Sequence, residues 1–369
     1  MRILLVTNDY PPRVGGIQVY LENIYRRLAA RHEITVVAPP HPRAAAWDAQ
    51  QPYEIVRHGP RVYWPRTGLQ RRVADLAGRH DVVAFGAVVP MNWMAPKLGR
   101  PYVIHTHGFE VALTRLPGAR AALRRVCADA RVVTVVSEYC RRFIEPVVGA
   151  GPRIEMLKTG VDLEMFHPGV DGSEIRKRHG LDGRPVLACV SRLVPRKGQD
   201  TIIRAMPAIA RRVPDAAALI VGGGPHRAAL EKLAFTLRVA DRVIFTGETP
   251  FAELAAHYAA GDVFAMPCRS RFADLEVEGL GLVYLEAQAT GRLAIAGDSG
   301  GAPEAVIPGE TGLVVPGGDP AALAEAVAGL LADPARAAAM GEQGRAFVEA
   351  NHHWDRVAER YERMLEESV

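Results

Sequence analysis

Two short segments of the chain place carboxylates and cations at spacings that suit ligand binding. In EGLGLVYLE, Glu278 lies among glycines whose free N–H groups can meet sugar hydroxyls or phosphate, and Glu286 lies among apolar residues. A carboxylate in apolar surroundings can accept hydrogen bonds from a hydroxyl pair, such as that of a ribose. In SRLVPRKGQ, Arg192, Arg196 and Lys197 cluster after a predicted strand, and two fixed cations there would suit a diphosphate leaving group by fork geometry and point charge. Each segment alone is also compatible with a solvated surface.

Glycines and histidines in the first third of the chain form two further candidates. Gly15 and Gly16 stand between a predicted strand and a predicted helix, where backbone N–H groups can approach a phosphate; a plain tight turn would use the same pair. His105 and His107 end another predicted strand. Such a pair can ligate zinc, but no third ligand stands nearby, and the chain has no Asp-x-Asp pair for a metal-bound nucleoside diphosphate. We therefore expect no metal site.

The elements that must position these residues alternate between strands and helices. Residues 2–7 and 33–39 are apolar and β-forming, and the sequence between them predicts a helix. The apolar side chains at helical spacing in that helix are Ile17, Leu21, Ile24 and Leu28. Further strands are predicted at 102–106, 131–136, 185–191, 217–222, 243–247, 263–267, 293–297 and 312–315. The predicted fold class is α/β, with two doubly wound parallel sheets.

The alternation restarts near residue 185, after the loop-like stretch GVDLEMFHPG. We place an N-terminal domain at 1–167 and a second domain at 168–352, which agrees with about 150 residues per domain in a chain of 369. Residues 353–369 predict a helix with one apolar stripe. Its members are Trp354, Val357, Tyr361, Met364 and Leu365.

Composition limits the class of protein. The 49% of hydrophobic and 23% of charged residues are ordinary for a globular protein and argue against disorder. The four cysteines lie far apart without a CxxC pair, which argues against a clustered-cysteine zinc site and suits a reducing compartment. No uncharged apolar stretch reaches the roughly 20 residues that span a bilayer, and no signal peptide is evident. We expect a cytoplasmic protein.

Charge is unevenly distributed, with a net +10 in residues 1–150 and −6 in the remainder. Six arginines lie between Arg57 and Arg79, interleaved with Tyr63 and Trp64. The arginines that add to them are Arg115, Arg120, Arg124 and Arg125. This pattern predicts a peripheral contact with anionic lipid at the inner face of the plasma membrane. An arginine-rich surface without a ligand is the alternative; no nucleic-acid-binding signature is present.

The order of these segments resembles that of the retaining glycosyltransferases of family 4, which have the GT-B fold. The segments that carry the resemblance are the GG loop, HGFE, SRLVPRKG, GGGP, EGLGLVYLE and SGGAPE, and they extend over essentially the whole chain. TNDYPPRVGGIQVYL, THGFEVALTRLPGAR and EVEGLGLVYLEAQATG are more narrowly similar to actinobacterial GDP-mannose-dependent phosphatidylinositol monomannoside mannosyltransferases. The resemblance implies two Rossmann-like domains facing a cleft, an acceptor-binding one and then a donor-binding one, with the C-terminal helix packed back on the first.

The resemblance also implies how the donor, GDP-mannose, would be bound. Arg192 and Lys197 would bind its diphosphate, and Gly16 would touch the diphosphate from the other domain. Glu286 would accept hydrogen bonds from the ribose hydroxyls.

The transferred sugar and the acceptor are assigned in the same way. Glu278 would hold sugar hydroxyls with the help of the N–H groups of Leu280 and Gly281, and His107 would contact the C6 region near the anomeric side. The residues expected to face a phosphatidylinositol mannoside-type glycolipid acceptor are Asp9, Gln18 and Asn92.

No nucleophile is evident, so the resemblance implies that the leaving group departs and the acceptor attacks on the same face of the sugar. The leaving phosphate oxygen would take the acceptor proton, which calls for charge stabilisation more than for a strong base. The expected catalytic residues are His107, Glu278, Arg192 and Lys197. Neither a cofactor nor a divalent metal is expected.

Three alternatives remain open from the sequence. A related transferase could use a soluble aminocyclitol or natural-product acceptor, and it would not bind anionic vesicles. A non-hydrolysing sugar-nucleotide epimerase would interconvert UDP-sugars without any acceptor. A non-catalytic sensor would bind the donor without turnover. The sequence carries no diagnostic signature for the nucleotide base and does not indicate an oligomeric state.

Overall fold

A computed structural model describes residues 1–13, 15–59 and 67–369. It divides into two compact units, one formed by Met1–Gly160 with Trp354–Val369 and the other by Val161–His353. In the described residues, unit 1 holds a seven-stranded sheet and unit 2 a six-stranded sheet. Every pair of neighbouring strands is parallel.

In unit 1 the strands are β1 (Arg2–Val6), β2 (Glu33–Ala38), β3 (Glu54–Arg57), β4 (Val82–Phe85), β5 (Tyr102–His105), β6 (Val132–Val135) and β7 (Arg153–Met156). Its helices are α1 (Gly16–Leu28), α2 (Ala44–Asp48), α3 (Thr67–Ala77), α4 (Glu110–Arg115), α5 (Pro117–Cys127) and α6 (Glu138–Val148), and Met91–Lys97 form a 3-10 helix. The strand order β3-β2-β1-β4-β5-β6-β7 reverses direction between β1 and β4. In open sheets of this kind, ligands bind beyond the carboxyl ends of the strands at that reversal.

In unit 2 the strands are β8 (Val186–Val190), β9 (Ala217–Val221), β10 (Val243–Gly247), β11 (Val263–Met266), β12 (Ala294–Gly297) and β13 (Gly312–Val315). The helices that follow α6 in the chain are α7 (Ser173–Arg178), α8 (Gln199–Arg212), α9 (Arg227–Thr236), α10 (Leu254–Ala259), α11 (Leu282–Ala289), α12 (Pro320–Leu331), α13 (Pro334–Asn351) and α14 (Trp354–Glu366). Shorter 3-10 helices occupy Pro195–Lys197, Phe251–Glu253 and Ala302–Ala305. The order β10-β9-β8-β11-β12-β13 reverses between β8 and β11.

The C-terminal helix α14 belongs to the core of unit 1. Trp354, Val357, Tyr361, Met364 and Leu365, which form the predicted apolar stripe, are all buried against the first strands and α1. Apolar residues three and four positions apart lie on one face of a helix, so a single face of α14 carries the contact.

The boundary between the units lies at residue 160, seven residues before the limit expected from the sequence. Val161 and Phe166 are buried in the core of unit 2, and the Val161 N–H donates to the carbonyl of His352. Residues 161–167 therefore group with unit 2, because their apolar side chains pack there.

Three strands are absent from the sequence-based prediction. β3 and β7 are edge strands with a neighbour on one side only, and each mixes apolar with charged residues. β4 is buried throughout, but its apolar run continues beyond Phe85 without a polar boundary. The two sheets and the parallel pairing of their strands agree with the predicted α/β class.

Candidate active site

The reversal of strand order in unit 2 brings two loops together. The loop after β8 carries the cations of SRLVPRKGQ, and the loop after β11 leads towards EGLGLVYLE. Parallel strands end at the same edge of a sheet, so both loops begin at the carboxyl ends of neighbouring strands. This topology brings the cations after β8 and the carboxylate of Glu278, which are about 80 residues apart in sequence, to the same edge of the sheet.

At this edge the carboxylate of Glu278 meets two cations. Its Oε2 accepts hydrogen bonds from Arg196 at 2.5 Å and from Lys197 at 2.7 Å. Glu278 and Lys197 are buried, with 9% and 8% of their surface exposed. Burial raises the pKa of Glu278, but the adjacent charges of Lys197 and Arg196 outweigh it and bring the pKa below its ordinary value. The carboxylate is therefore ionised at neutral pH.

The second predicted cation, Arg192, lies elsewhere. Its side chain is exposed and has no hydrogen-bond or ion-pair partner among the described residues. Arg196 belongs to the cation cluster that the sequence predicts, but the family resemblance assigns the diphosphate to Arg192 and Lys197 alone. The turn of 3-10 helix at Pro195–Lys197 directs both Arg196 and Lys197 to Glu278.

Backbone contacts hold Glu278 in place. Its N–H donates to the hydroxyl of Ser299 at 3.1 Å, and its carbonyl accepts from the N–H of Gly301 at 2.9 Å. Gly300 has a φ of +57°, and a Cβ there would lie 2.1 Å from the Glu278 carbonyl oxygen. The glycines of SGGAPE therefore let the chain approach Glu278 closely.

The segment that carries Arg196 and Lys197 is held by Arg269. The Arg269 N–H donates to the carbonyl of Arg196 at 2.9 Å. The Arg269 guanidinium binds both carboxylate oxygens of Asp200 at 2.9 and 3.0 Å. Two parallel bonds of this kind fix orientation as well as distance. Lys197 is thus bracketed by contacts on both sides of it in the chain.

Glu286 lies in α11 and is buried, as its apolar flanks predict. The hydroxyl of Tyr258 donates to its Oε2 at 2.5 Å. Burial raises the pKa of Glu286 to about 7, and the hydrogen bond from Tyr258 opposes that rise. Burial likewise raises the pKa of Tyr258 well above its usual value, so the phenol keeps its proton and serves as a donor.

The entrance to α11 exposes backbone donors. Gly281 has a φ of +91° and precedes the first residue of the helix. In the part of the chain that the structure describes, the N–H groups of Leu280 and Gly281 have no acceptor. They are thus available to an oxygen of a ligand.

In unit 1, His107 follows β5. Its ring Nε2 lies 2.7 Å from the carbonyl oxygen of Gly86, and its backbone N–H donates to the Glu110 carboxylate at 2.9 Å. A carbonyl oxygen only accepts, so Nε2 carries a proton and Nδ1 is directed elsewhere. The ring of Tyr20 packs edge-on against His107 with 5.2 Å between centroids. Burial lowers the pKa of the neighbouring His105 well below its usual value, so that ring is neutral.

The other predicted residues of unit 1 have different environments. Asp9 accepts a hydrogen bond from Gln18 at 2.9 Å, so these two side chains act as a pair. Asn92 is fully buried, and neither of its amide atoms has a partner among the described residues. Gly16 begins α1, and a Cβ there would meet no atom within 4 Å.

A possible metal cluster in the described residues lies outside these sites. His32, Glu362 and Glu366 place three ligand atoms within 4.8 Å of one another. Glu362 already accepts hydrogen bonds from Arg31 and from His32. None of the predicted site residues belongs to this cluster.

Two family models match the chain. The model described as Glycosyltransferase Family 4 matches residues 14–165, and the model described as Glycosyl transferases group 1 matches residues 171–347. A structure of Anabaena HepE in complex with UDP superposes with a TM-score of 0.83 at 22% identity, covering 100% of each chain. This likeness shows the fold and supports the GT-B class.

Curated relatives narrow the family. A GDP-mannose-dependent alpha-(1-6)-phosphatidylinositol monomannoside mannosyltransferase of Mycolicibacterium smegmatis is 50% identical, covering 95% of each chain. The Corynebacterium glutamicum enzyme, named for the monoacylated form of that acceptor, is 42% identical and covers 99% of this chain and 98% of its own. The chain therefore belongs to the family 4 glycosyltransferases, in the branch that contains these mannosyltransferases. The predicted family and enzyme class are confirmed.

Proposed function

We propose that this protein transfers mannose from GDP-mannose to a phosphatidylinositol monomannoside. The observation that carries the proposal is the contact of Glu278 with Arg196 and Lys197, which places a carboxylate that can accept hydrogen bonds from hydroxyls beside two cations. The names of the relatives supply the donor and acceptor.

The same groups support a retaining reaction on one face of the sugar. As the sugar–phosphate bond breaks, negative charge develops on the diphosphate, and the ammonium of Lys197 stabilises it at low exposure to water. Arg192, which is exposed, adds a second cation that is free to reach the diphosphate. We propose that these side chains make a divalent metal unnecessary.

In unit 2, Glu278 and the N–H groups of Leu280 and Gly281 are proposed to hold the transferred mannose. In unit 1, His107 is proposed as a ligand of the C6 region of the sugar. Because Nε2 of His107 donates to Gly86, its Nδ1 is the ring atom left to face a sugar hydroxyl.

On the acceptor side, the Asp9–Gln18 pair offers both a hydrogen-bond acceptor and a donor to an inositol or mannose hydroxyl. Asn92, the third residue expected on the acceptor side, is fully buried, so we do not propose a direct contact with the acceptor. Its amide atoms lack hydrogen-bond partners among the described residues, which is costly in a buried position.

A thermal-shift panel with GDP, UDP and ADP tests the donor assignment. A ligand that binds the folded state raises the melting temperature, and at equal concentration the rise is larger for the ligand with the lower Kd. GDP should give the largest shift at equal concentration. A larger shift with UDP would contradict the assignment to GDP-mannose.

The binding of GDP-mannose should depend on pH through Glu286. Ribose hydroxyls donate hydrogen bonds, so the ionised carboxylate is the better acceptor. With a pKa of about 7, Glu286 gains its charge as the pH rises from 6 to 8. We expect affinity about tenfold higher at pH 8 than at pH 6, measured by calorimetry. GDP-mannose suits the test because its doubly substituted diphosphate does not titrate in this range.

Glu286→Gln is the control for that dependence. Its affinity should vary little between pH 6 and pH 8, since glutamine does not titrate. A wild-type protein that binds equally well at both values would show that Glu286 does not meet the ribose.

We also propose that a basic face of unit 1 contacts anionic lipid. Phe109 and Leu116 flank α4 with 64% and 49% of their surface exposed. The exposed arginines of α4 and α5 beside them are Arg115, Arg120, Arg124 and Arg125. Apolar side chains among cations suit the headgroup region of a membrane. Every helix in the described residues is too short or too polar to cross a bilayer.

The predicted basic segment between Arg57 and Arg79 is only partly available to lipid among the described residues. Arg57 binds the carboxylate of Asp48 and the carbonyl of Pro11, so it is not available to lipid. Tyr63 and Trp64 lie outside the described residues. Arg71, Arg72 and Arg79 are exposed, as predicted.

Charge reversal tests the lipid contact. A basic residue near an anionic surface contributes about 1 kcal/mol, so Arg120→Glu with Arg125→Glu should weaken binding to phosphatidylinositol-containing vesicles by at least about 30-fold. The matched control is the reversal of two exposed arginines of unit 2, Arg211 and Arg212. Equal vesicle binding by the two variants in a sedimentation assay would contradict the proposal.

A further inference from the structure

The contacts of Glu278 conflict with a simple division of roles at the donor site. The proposed function gives the cations to the diphosphate and Glu278 to the sugar, yet one oxygen of Glu278 holds both Arg196 and Lys197. An anion that binds these cations meets a carboxylate already in that position. The inference below rests on the proposed function and deepens it.

We propose that Arg196 is a further diphosphate-binding residue, and that the Glu278 carboxylate and the donor diphosphate exchange places on Arg196 and Lys197. Binding of the diphosphate releases Glu278, which then becomes available to the hydroxyls of the transferred sugar. As a result, Glu278 contacts the hydroxyls of the transferred sugar only when the diphosphate is bound.

The geometry favours such an exchange. Glu278 uses Oε2 alone for both cations, so the fork of Arg196 receives one bond where a phosphate group can accept two. A diphosphate also carries more charge than a carboxylate. The site is buried enough that a cation without an anion is costly, and one anion must therefore replace the other directly.

The scaffold around the three side chains is suited to this change. Arg269 binds the backbone carbonyl of Arg196 and the carboxylate of Asp200, so the backbone that carries the two cations is held in position. The backbone of Glu278 is tied to Ser299 and Gly301. Only the side chain of Glu278 has to rotate.

Calorimetric titration with inorganic pyrophosphate in the presence of EDTA tests the exchange without a base, a sugar or an acceptor. Glu278→Gln removes the competing charge and should bind pyrophosphate at least about tenfold more tightly than the wild type. Arg196→Gln should bind it at least about tenfold more weakly. Glu276→Gln is the matched control, since Glu276 lies two residues away and pairs with Arg271 at the surface. Its affinity should equal that of the wild type.

Glu278→Asp covers the case in which the glutamine variant fails to fold. It keeps the buried charge but shortens its reach, so an intermediate gain in pyrophosphate affinity is expected. Unchanged or weaker binding by the Glu278 variants would overturn the exchange, and so would unchanged binding by Arg196→Gln. Because mannose transfer by the wild type is measured separately, its failure would refute the proposed function and leave the exchange standing.

Discussion

Replacement of Lys197 with alanine should lower kcat by about 10²- to 10³-fold. Removing one preorganised group that stabilises developing charge costs about 3–4 kcal/mol in other enzymes. Lys197 is 8% exposed, so water does not readily replace its ammonium, and it lies 2.7 Å from Glu278. Initial rates of mannose transfer at saturating acceptor measure the effect, and kcat should fall more than the KM for donor rises.

Two controls make this result specific. Lys232→Ala removes an exposed lysine from the same unit and should leave kcat unchanged. Thermal unfolding shows whether the Lys197→Ala variant is folded. We expect it to fold, because Glu278 keeps Arg196 as a partner. A folded Lys197→Ala variant with nearly wild-type kcat would contradict the role of Lys197 at the leaving group.

Replacement of Trp354 with alanine should destabilise unit 1 by about 3–5 kcal/mol. Trp354 begins α14, is 2% exposed and packs against Gly160, where a Cβ would lie 2.4 Å from the indole. Its ring also contacts Tyr20, which packs against His107. The loss should therefore lower stability and loosen His107 together.

Chemical denaturation measures the stability change, with Arg363→Ala as the control. Arg363 is exposed on the same helix, and its replacement should alter the free energy of unfolding by less than about 0.5 kcal/mol. Equal stability of the two variants would show that the Trp354 side chain contributes no packing energy to unit 1.

The fold was predictable where the chain has long apolar runs. β1, β2 and the inner strands of unit 2 (β8, β9, β11 and β12) are buried on both faces, so each one appears in the sequence as an apolar run between turns. β3 and β7 have no such run, because an edge strand with exposed faces tolerates charge. The apolar stripe of α14 was predictable because its apolar residues recur with the helical period of 3.6 along the whole helix.

The candidate site was predictable in its neighbourhood and not in its contacts. Arg192, Arg196 and Lys197 all follow β8. Because β8 and β11 are neighbouring parallel strands, the loop after β8 begins beside the loop after β11, which carries Glu278. The contact of Arg196, and not of Arg192, with Glu278 depends on the 3-10 turn at Pro195–Lys197, which directs Arg196 and Lys197 to that carboxylate. The partner of Glu286, Tyr258, lies 28 residues away on another helix, and no spacing rule connects them.

Turnover with the proposed substrates tests the central claim most directly. The purified protein is incubated with GDP-mannose and phosphatidylinositol monomannoside in EDTA, and the lipid product is analysed by mass spectrometry, with UDP-glucose in a parallel reaction. We predict a product heavier by one hexose with GDP-mannose and none with UDP-glucose. Transfer from UDP-glucose alone, or mannose transfer to a soluble cyclitol but not to the lipid, would contradict the account.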